Sequence, residues 1–306
     1  MKRVNILNQS RKDWLLERAK SIGASDSSCV LGLNPWKSNV ELWLEKTNPE
    51  SLLDQPDNLN MRLGRDMEPI LRQLFTEETG LQVRQDNHIR YDDEYPFLST
   101  NLDGRIVGDK VPIELKTTGM VWDGMIPDNY FCQLQHQMMV TNSPYMYFAI
   151  LVLSNFGKQF IVEKYERNER FIADMRAKMV NFWMNHVVTG DAPDPVSVKD
   201  ARLLYKDTIE ESTIEGSFDM ITICEKIKDY NKDIKKIKSK ADELRVDIMD
   251  TMKEDEIMTY KGSILSTWKK SKGKLKFDLN KFKTDHPELY EEYSLQKDGN
   301  RMLIIK

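Results

Sequence analysis

The sequence predicts an α/β fold, a mixed sheet with helices on both sides, joined to an additional α+β C-terminal unit that contains a long heptad helix. Three observations lead there. Helical and strand periodicities alternate through the first part of the chain. A polar stretch opening Asp191-Ala-Pro-Asp-Pro then forbids a helix and separates the two parts. Charge is unevenly spread: residues 226–306 hold 20 Lys and Arg against 15 Asp and Glu, a net of +5, so the rest of this −4 chain nets −9. The expected division is 1–195 and 196–306.

The elements are expected in this order. A short helix ends before Ser21, a loop covers Leu33–Ser38, and a helix follows over Val40–Lys46. Gln55–Leu59 reads as a surface loop. A helix runs from about Asn60 to Thr79, bent by Pro69 and ended by Gly80 as a left-handed cap. Strands are expected at Gln82–Tyr91, Leu98–Val107 and Val111–Thr117, a helix at Asp128–Thr141, strands at Tyr145–Leu153 and Lys158–Tyr165, and a closing helix at Asn168–Val188.

In the second unit Met220, Ile223, Ile227, Tyr230, Ile234, Ile237, Ala241, Leu244 and Ile248 alternate spacings of three and four. That is a narrow apolar seam. It fits a long helix lying on its own body, and equally an intermolecular coiled coil. No Gly or Pro interrupts the run from Ser217 to Tyr260. A strand at Ile264–Trp268, short helices around Leu279–Phe282 and Pro287–Tyr293, and a final strand Arg301–Ile305 follow.

Composition excludes several classes. The 40% hydrophobic fraction supports a core, and the modest net charge confines any nucleic-acid contact to local patches. Cys29, Cys132 and Cys224 form no CxxC, which argues against zinc, an iron–sulfur cluster or a disulfide framework and for a reducing compartment. With no leader-like apolar segment and no membrane-length apolar run, a cytoplasmic protein is expected.

The most informative stretch is STNLDGRIVGDKVPIELKT, residues 99–117. Period two puts Glu114 and Lys116 on one face of a strand and Ile113 and Leu115 on the other, with Asp103 earlier in the hairpin. Carboxylates can hold a hard cation that polarises a phosphate, while a Lys positions or activates a water. A surface strand with a cross-face ion pair explains the same pattern. Other residues carry double readings too. Glu68 is a solvated helix glutamate or a third carboxylate. Ser25 is a helix N-cap or, with Arg18, a phosphate site. Tyr130, Gln133 and Gln137 form a wet helix face or a stripe that holds a water or a phosphate oxygen. The lysines Lys269, Lys270, Lys272, Lys274 and Lys276 make a phosphate-facing row if they extend a strand, or a solubilising loop.

Taken in order, these pieces resemble the YqaJ-like viral recombinase (lambda exonuclease) family of the PD-(D/E)XK nucleases. The resemblance covers about Leu15 to Thr141. It rests on Arg18–Ser25 with GASD and the following LGLNPW, Gly64–Glu68, Asp103 with Glu114-Leu115-Lys116, and Tyr130-x2-Gln133-x3-Gln137. It implies a PD-(D/E)XK core and a Mg²⁺ (or Mn²⁺) site of Glu68, Asp103, Glu114 and the Leu115 carbonyl. It implies that Lys116 and Gln133 handle the attacking water, and that Arg18 and Ser25 hold a 5′-phosphate. The implied reaction is 5′-to-3′ hydrolysis of duplex DNA ends in phage-type recombination, leaving 3′ single-stranded tails. The resemblance also implies a single-strand annealing partner, a trimeric assembly and a phage-infected or prophage-bearing bacterial host. An endonuclease or structure-specific nuclease on the same core, and a non-catalytic DNA-binding scaffold, are the alternatives.

Overall fold

A computed structural model describes residues 2–53, 58–295, 299 and 301–306. Most of the expected loop at Gln55–Leu59 lies outside them, and Leu59 itself begins a helix. The chain divides into two compact units, Met1–Tyr205 and Lys206–Lys306. The division falls later than 195/196 because a short helix beyond the prolines joins the first unit. In that helix Asp200 is fully buried and accepts the Ser38 hydroxyl at 2.5 Å.

In chain order the first unit contains β1 (Arg3–Asn5), α1 (Arg11–Ala19), α2 (Ser27–Val30), α3 (Asn39–Thr47) and α4 (Leu59–Thr79). Next come β2 (Val83–Arg84), β3 (His88–Tyr91), β4 (Ser99–Thr100), β5 (Gly104–Ile106), β6 (Pro112–Thr118) and α5 (Asp128–Thr141). It closes with β7 (Tyr145–Ser154), β8 (Gly157–Glu166), α6 (Glu169–Phe182) and α7 (Val198–Leu204). The main sheet has the order β2-β5-β6-β7-β8; β6 and β7 are parallel and the other pairs antiparallel. A second sheet pairs β1, β3 and β4.

Two expected strands are therefore each split between sheets. Gln82–Tyr91 becomes β2 and β3, and Leu98–Val107 becomes β4 and β5. The second break lies at Asn101–Asp103, and Gly104 follows it. A Cβ at Gly104 would stand 2.6 Å from Val83 Cγ1 and 3.0 Å from Ile113 Cγ2, so only glycine lets β5 sit between β2 and β6.

Both faces of the main sheet are covered. Leu71 and Phe75 of α4 pack on Ile106, Ile113, Leu115 and Ala149. Leu134 and Met138 of α5 pack on Met146, Phe148, Ile150 and Val152. Parallel register sets Glu114 beside Phe148 and Leu115 beside Ala149. Leu115 thus faces α4 and Glu114 faces α5, where it is 1% exposed. The surface-strand reading of this segment fails on that burial. α4 runs through Pro69 and ends, as expected, at Gly80 with φ 72°.

The second unit holds α8 (Phe218–Met252), β9 (Ile257–Tyr260), β10 (Ser263–Thr267), α9 (Leu279–Asp285) and α10 (Pro287–Glu292). β9 and β10 form a hairpin: β10 matches the strand expected at Ile264–Trp268, whereas β9 takes the end of the uninterrupted run to Tyr260. No strand forms at Arg301–Ile305, and residues 268–278 carry neither helix nor strand, so the lysine run does not extend β10. None of the described helices is long and apolar enough to cross a membrane. The three cysteines are free, with Cys29 and Cys132 buried.

Candidate active site

A cleft of about 830 Å³ opens in the first unit. Arg18, Ser25, Glu68, Asp103, Glu114, Leu115, Lys116 and Gln133 all line it. Its two ends are chemically different.

The acidic end is built on β6. The β5–β6 turn returns Asp103 to the strand, where its Oδ2 accepts the Leu115 N–H at 2.8 Å. Glu114 Oε1 accepts from Lys116 Nζ and, at 2.6 Å, from Gln133 Nε2. Glu114 Oε2 accepts from Gln137 Nε2 at 2.5 Å. The two glutamines stand one helical turn apart on α5, which crosses the sheet face that Glu114 points into. Arg72, one turn after Glu68 on α4, lies 3.4 Å from the Glu68 carboxylate and donates to the Asp103 carbonyl at 2.8 Å. Burial, with the charges of Glu114 and Glu68, pushes the Asp103 carboxyl up to about 8, although Lys116 opposes the shift. Burial likewise raises Glu68 against the pull of Arg72. For Lys116 burial pulls downward, but the Glu114 and Asp103 charges outweigh it and hold the ammonium above its ordinary range.

The cationic end is built on Asp26, 2% exposed. Its carboxylate accepts from Lys46 Nζ at 2.8 Å and from the Gly23 N–H at 3.1 Å, with Arg18 Nη2 at 3.7 Å and Lys37 Nζ at 4.0 Å. Arg18 also donates to Ser25 Oγ, and Lys37 pairs with Glu45 at 2.6 Å. Burial would raise Asp26, but Lys46, Arg18 and Lys37 together hold its carboxyl well below the usual range. Burial pulls the Lys46 ammonium down against the attraction of Asp26.

Several expected placements need correction. Ser25 is not a helix N-cap; it lies within a single 3-10 turn, Ala24–Asp26, whose cap is Gly23 and whose backbone closure is made by Asp26. Gln137 is 1% exposed and spends its amide N–H on Glu114 and the Asn101 carbonyl, so it meets no ligand surface. Tyr130 does not line the cleft. Its ring lies 5.4 Å from Lys116 Nζ and 5.8 Å from the Phe148 ring. Lys269, Lys270 and Lys272 lie in the second unit, exposed, with Lys269 3.8 Å from Glu256.

Sequence reasoning missed Asp26, Lys37, Lys46 and Arg72. Asp26 adjoins Ser25 in the GASD motif, and Arg72 stands four residues after Glu68, a helical pairing distance. Lys37 and Lys46 carry no such local signal.

The donor set at the acidic end suits a hard dication: three carboxylates and a main-chain carbonyl, all oxygen, around one cleft wall. Asp103, raised by burial and by its anionic neighbours, is the group that such a charge would relieve. Among the described residues, however, no three acidic, His or Cys side chains gather at coordinating distance, and the Glu114 oxygens accept from Lys116, Gln133 and Gln137.

Residues 13–144, from α1 to just past α5, match the YqaJ-like viral recombinase domain. Over 306 aligned residues the chain is 32% identical to the YqaJ protein of Bacillus subtilis strain 168, covering 96% of this chain and 94% of that one. Among solved structures it is similar to the alkaline exonuclease LHK-Exo of Laribacter hongkongensis: TM-score 0.51, 21% identity, 59% of this chain and 94% of that chain. LHK-Exo in complex with dAMP aligns with the same TM-score of 0.51 at 20% identity, over 59% of this chain and 94% of that one. That likeness is one of fold.

Proposed function

The chain belongs to the YqaJ-like viral recombinase family, and from that premise we propose that it is a metal-dependent nuclease that degrades linear duplex DNA from its 5′ ends. The observation that carries the proposal is the pairing of an acidic end and a cationic end in one cleft. A phosphodiester needs both: carboxylates for a metal beside the bond to be broken, and cations for the neighbouring phosphates.

Glu68, Asp103, Glu114 and the Leu115 carbonyl would hold Mg²⁺, or Mn²⁺ in its place. When bound, such an ion supplies Lewis-acid polarisation of the phosphate and a more acidic water. Everything else falls to the protein. Gln133 and Gln137 fix both oxygens of Glu114 from α5, so the carboxylate cannot rotate away. Arg72 ties Glu68 to the Asp103 turn. Lys116 carries a positive charge beside Glu114 and orients the attacking water by hydrogen bonding. At the other end Arg18, presented by α1, and the Ser25 hydroxyl receive the terminal 5′-phosphate, with Asp26 and Lys46 fixing the loop that carries them.

This reading puts the protein in phage-type recombination, where 3′ tails would pass to a single-strand annealing protein. The deciding experiment incubates the full chain with linear 5′-phosphorylated duplex and with closed circular duplex, in Mg²⁺ and in excess chelator. Linear DNA is expected to be digested only with the metal, and circular DNA to survive. Digestion of both forms would overturn the end-dependent mode, and metal-independent digestion would overturn the carboxylate site.

A further inference from the structure

The heptad stripe of α8 is uncovered within its own unit. Tyr230 is 66% exposed, Ile234 49%, Ile237 66% and Leu244 65%, on a 35-residue helix about 50 Å long. A stripe of this strictness left bare calls for an occupant, and the charges beside it say which.

Let Met220 be position a, so that Ile223 is d, and the a positions continue as Ile227, Ile234, Ala241 and Ile248. The d positions are then Ile223, Tyr230, Ile237, Leu244 and Thr251. The flanking g positions are Asp219, Lys226, Asp233, Lys240 and Asp247, alternating in sign without exception. Now lay a second α8 antiparallel, with its midpoint between Lys235 and Lys236 on the same midpoint of the first. That lies half a residue from the middle of Phe218–Met252, so the helices overlap along nearly their full length. Lys226 then faces Asp247 of the other copy, and Asp233 faces Lys240. Every facing g pair within the helix is of opposite charge.

The seam fits in the same register. Ile227 opposes Leu244, Ile234 opposes Ile237, Ile223 opposes Ile248, and Met220 opposes Thr251. Tyr230, the largest side chain of the seam, opposes Ala241, the smallest. A parallel pair loses both features. It sets Tyr230 on Tyr230 and Ala241 on Ala241, and it brings Lys240 against Arg245. Asp233 pairs within its own helix to Lys236 at 3.3 Å, but both are exposed, and such a pair is too weak to hold Asp233 from a partner.

We propose that α8 is a self-association element: two copies of this chain join through an antiparallel coiled coil formed by Met220–Thr251. The association belongs to the second unit and is independent of the nuclease reading.

The test measures the mass of the full chain by light scattering across a concentration series. Ile234→Glu combined with Ile237→Glu should halve the particle mass, whatever the mass of the wild type. An unchanged mass overturns the proposal. Orientation is read from charge reversal, which changes only exposed residues. Lys226→Asp alone should raise the dissociation constant of the pairing roughly tenfold, and adding Asp247→Lys should restore it. Equal weakening by the single and the double variant overturns the antiparallel register, since in a parallel pair neither residue meets the other.

Discussion

The two ends of the cleft each bury a carboxylate, and they treat it in opposite ways. Asp26 is ringed by Arg18, Lys37 and Lys46, so its charge is over-matched and its carboxyl is held well below the ordinary range. Glu114 has one ammonium and two neutral amides for company, and beside it burial, with the charges of Glu114 and Glu68, pushes Asp103 up to about 8. The first arrangement is a closed set of charges whose surplus is cationic. The second is an acidic set with its surplus uncompensated. A buried acid among excess cations stabilises a loop; a buried acid among other acids is poised for a cation from outside.

The difference can be broken from the cationic side first. Asp26→Asn leaves Lys46, whose side chain is 3% exposed, without its carboxylate. Removing one partner of a buried pair costs about 3–5 kcal/mol. Urea unfolding should show a loss of that size, and a loss under about 1 kcal/mol would mean that the pair is not sequestered from water.

The next effect concerns the helix that joins the two ends. His136 on α5 is fully buried, with Nε2 on the Ser99 carbonyl at 2.9 Å, and burial lowers its imidazole to about 4. The folded value lies below the unfolded one of about 6.5. Between the two the unfolded chain binds the extra proton, so stability is intact above pH 6.5 and falls as pH drops toward 4. The loss amounts to about 3 kcal/mol. His136→Gln should flatten that slope in unfolding measured from pH 7 to 4.5; an unchanged slope would assign the acid sensitivity elsewhere.

At the acidic end, Glu114→Gln preserves shape and removes charge. Cleavage of linear duplex should fall ~100-fold or more while DNA binding is kept. Gln137→Leu tests the scaffold behind it. It should lower stability by about 1–3 kcal/mol through the unpaired Glu114 oxygen, and lower cleavage without changing the affinity for DNA. Full activity in that variant would show that Gln133 and Lys116 hold Glu114 unaided.

The smallest expected effect sharpens the contrast. Arg18→Ala should cut the rate preference for 5′-phosphoryl over 5′-hydroxyl ends by roughly tenfold, the worth of one charge-assisted pair, and leave the metal requirement untouched. If the preference of the wild type survives in the variant, the cationic end does not read the terminal phosphate.

Local order was legible where one element could be judged by itself. The α4 helix with its glycine stop, the period-two run of β6, the α5 helix and the three–four spacing of α8 all follow from side-chain periodicity and backbone stereochemistry. So did the core of the acidic end, because Asp103, Glu114 and Lys116 share one hairpin. The misplacements came where a residue's fate depends on a neighbour distant in sequence. Gln137 looked like a wet helix face, and it is buried because β6 lies beneath it. Asp26 carries no local signal of its partners, and it is a hub because Lys46 arrives from α3. The runs 82–91 and 98–107 looked continuous and split between two sheets.

By itself the sequence determined the long helices α4, α5, α6 and α8 and the long strands β6, β7 and β8, which side chains alternate to which face on β6, and the apolar spacing with its alternating flanking charges along α8. These depend on torsional preferences and on spacings of a few residues. The tertiary structure alone decided which charges meet, which polar groups lose water, and that Gly104 must carry no side chain where β2, β5 and β6 converge. Those outcomes turn on distances of a few ångströms between atoms far apart in the chain, and on the desolvation such closeness brings, neither of which any local pattern encodes.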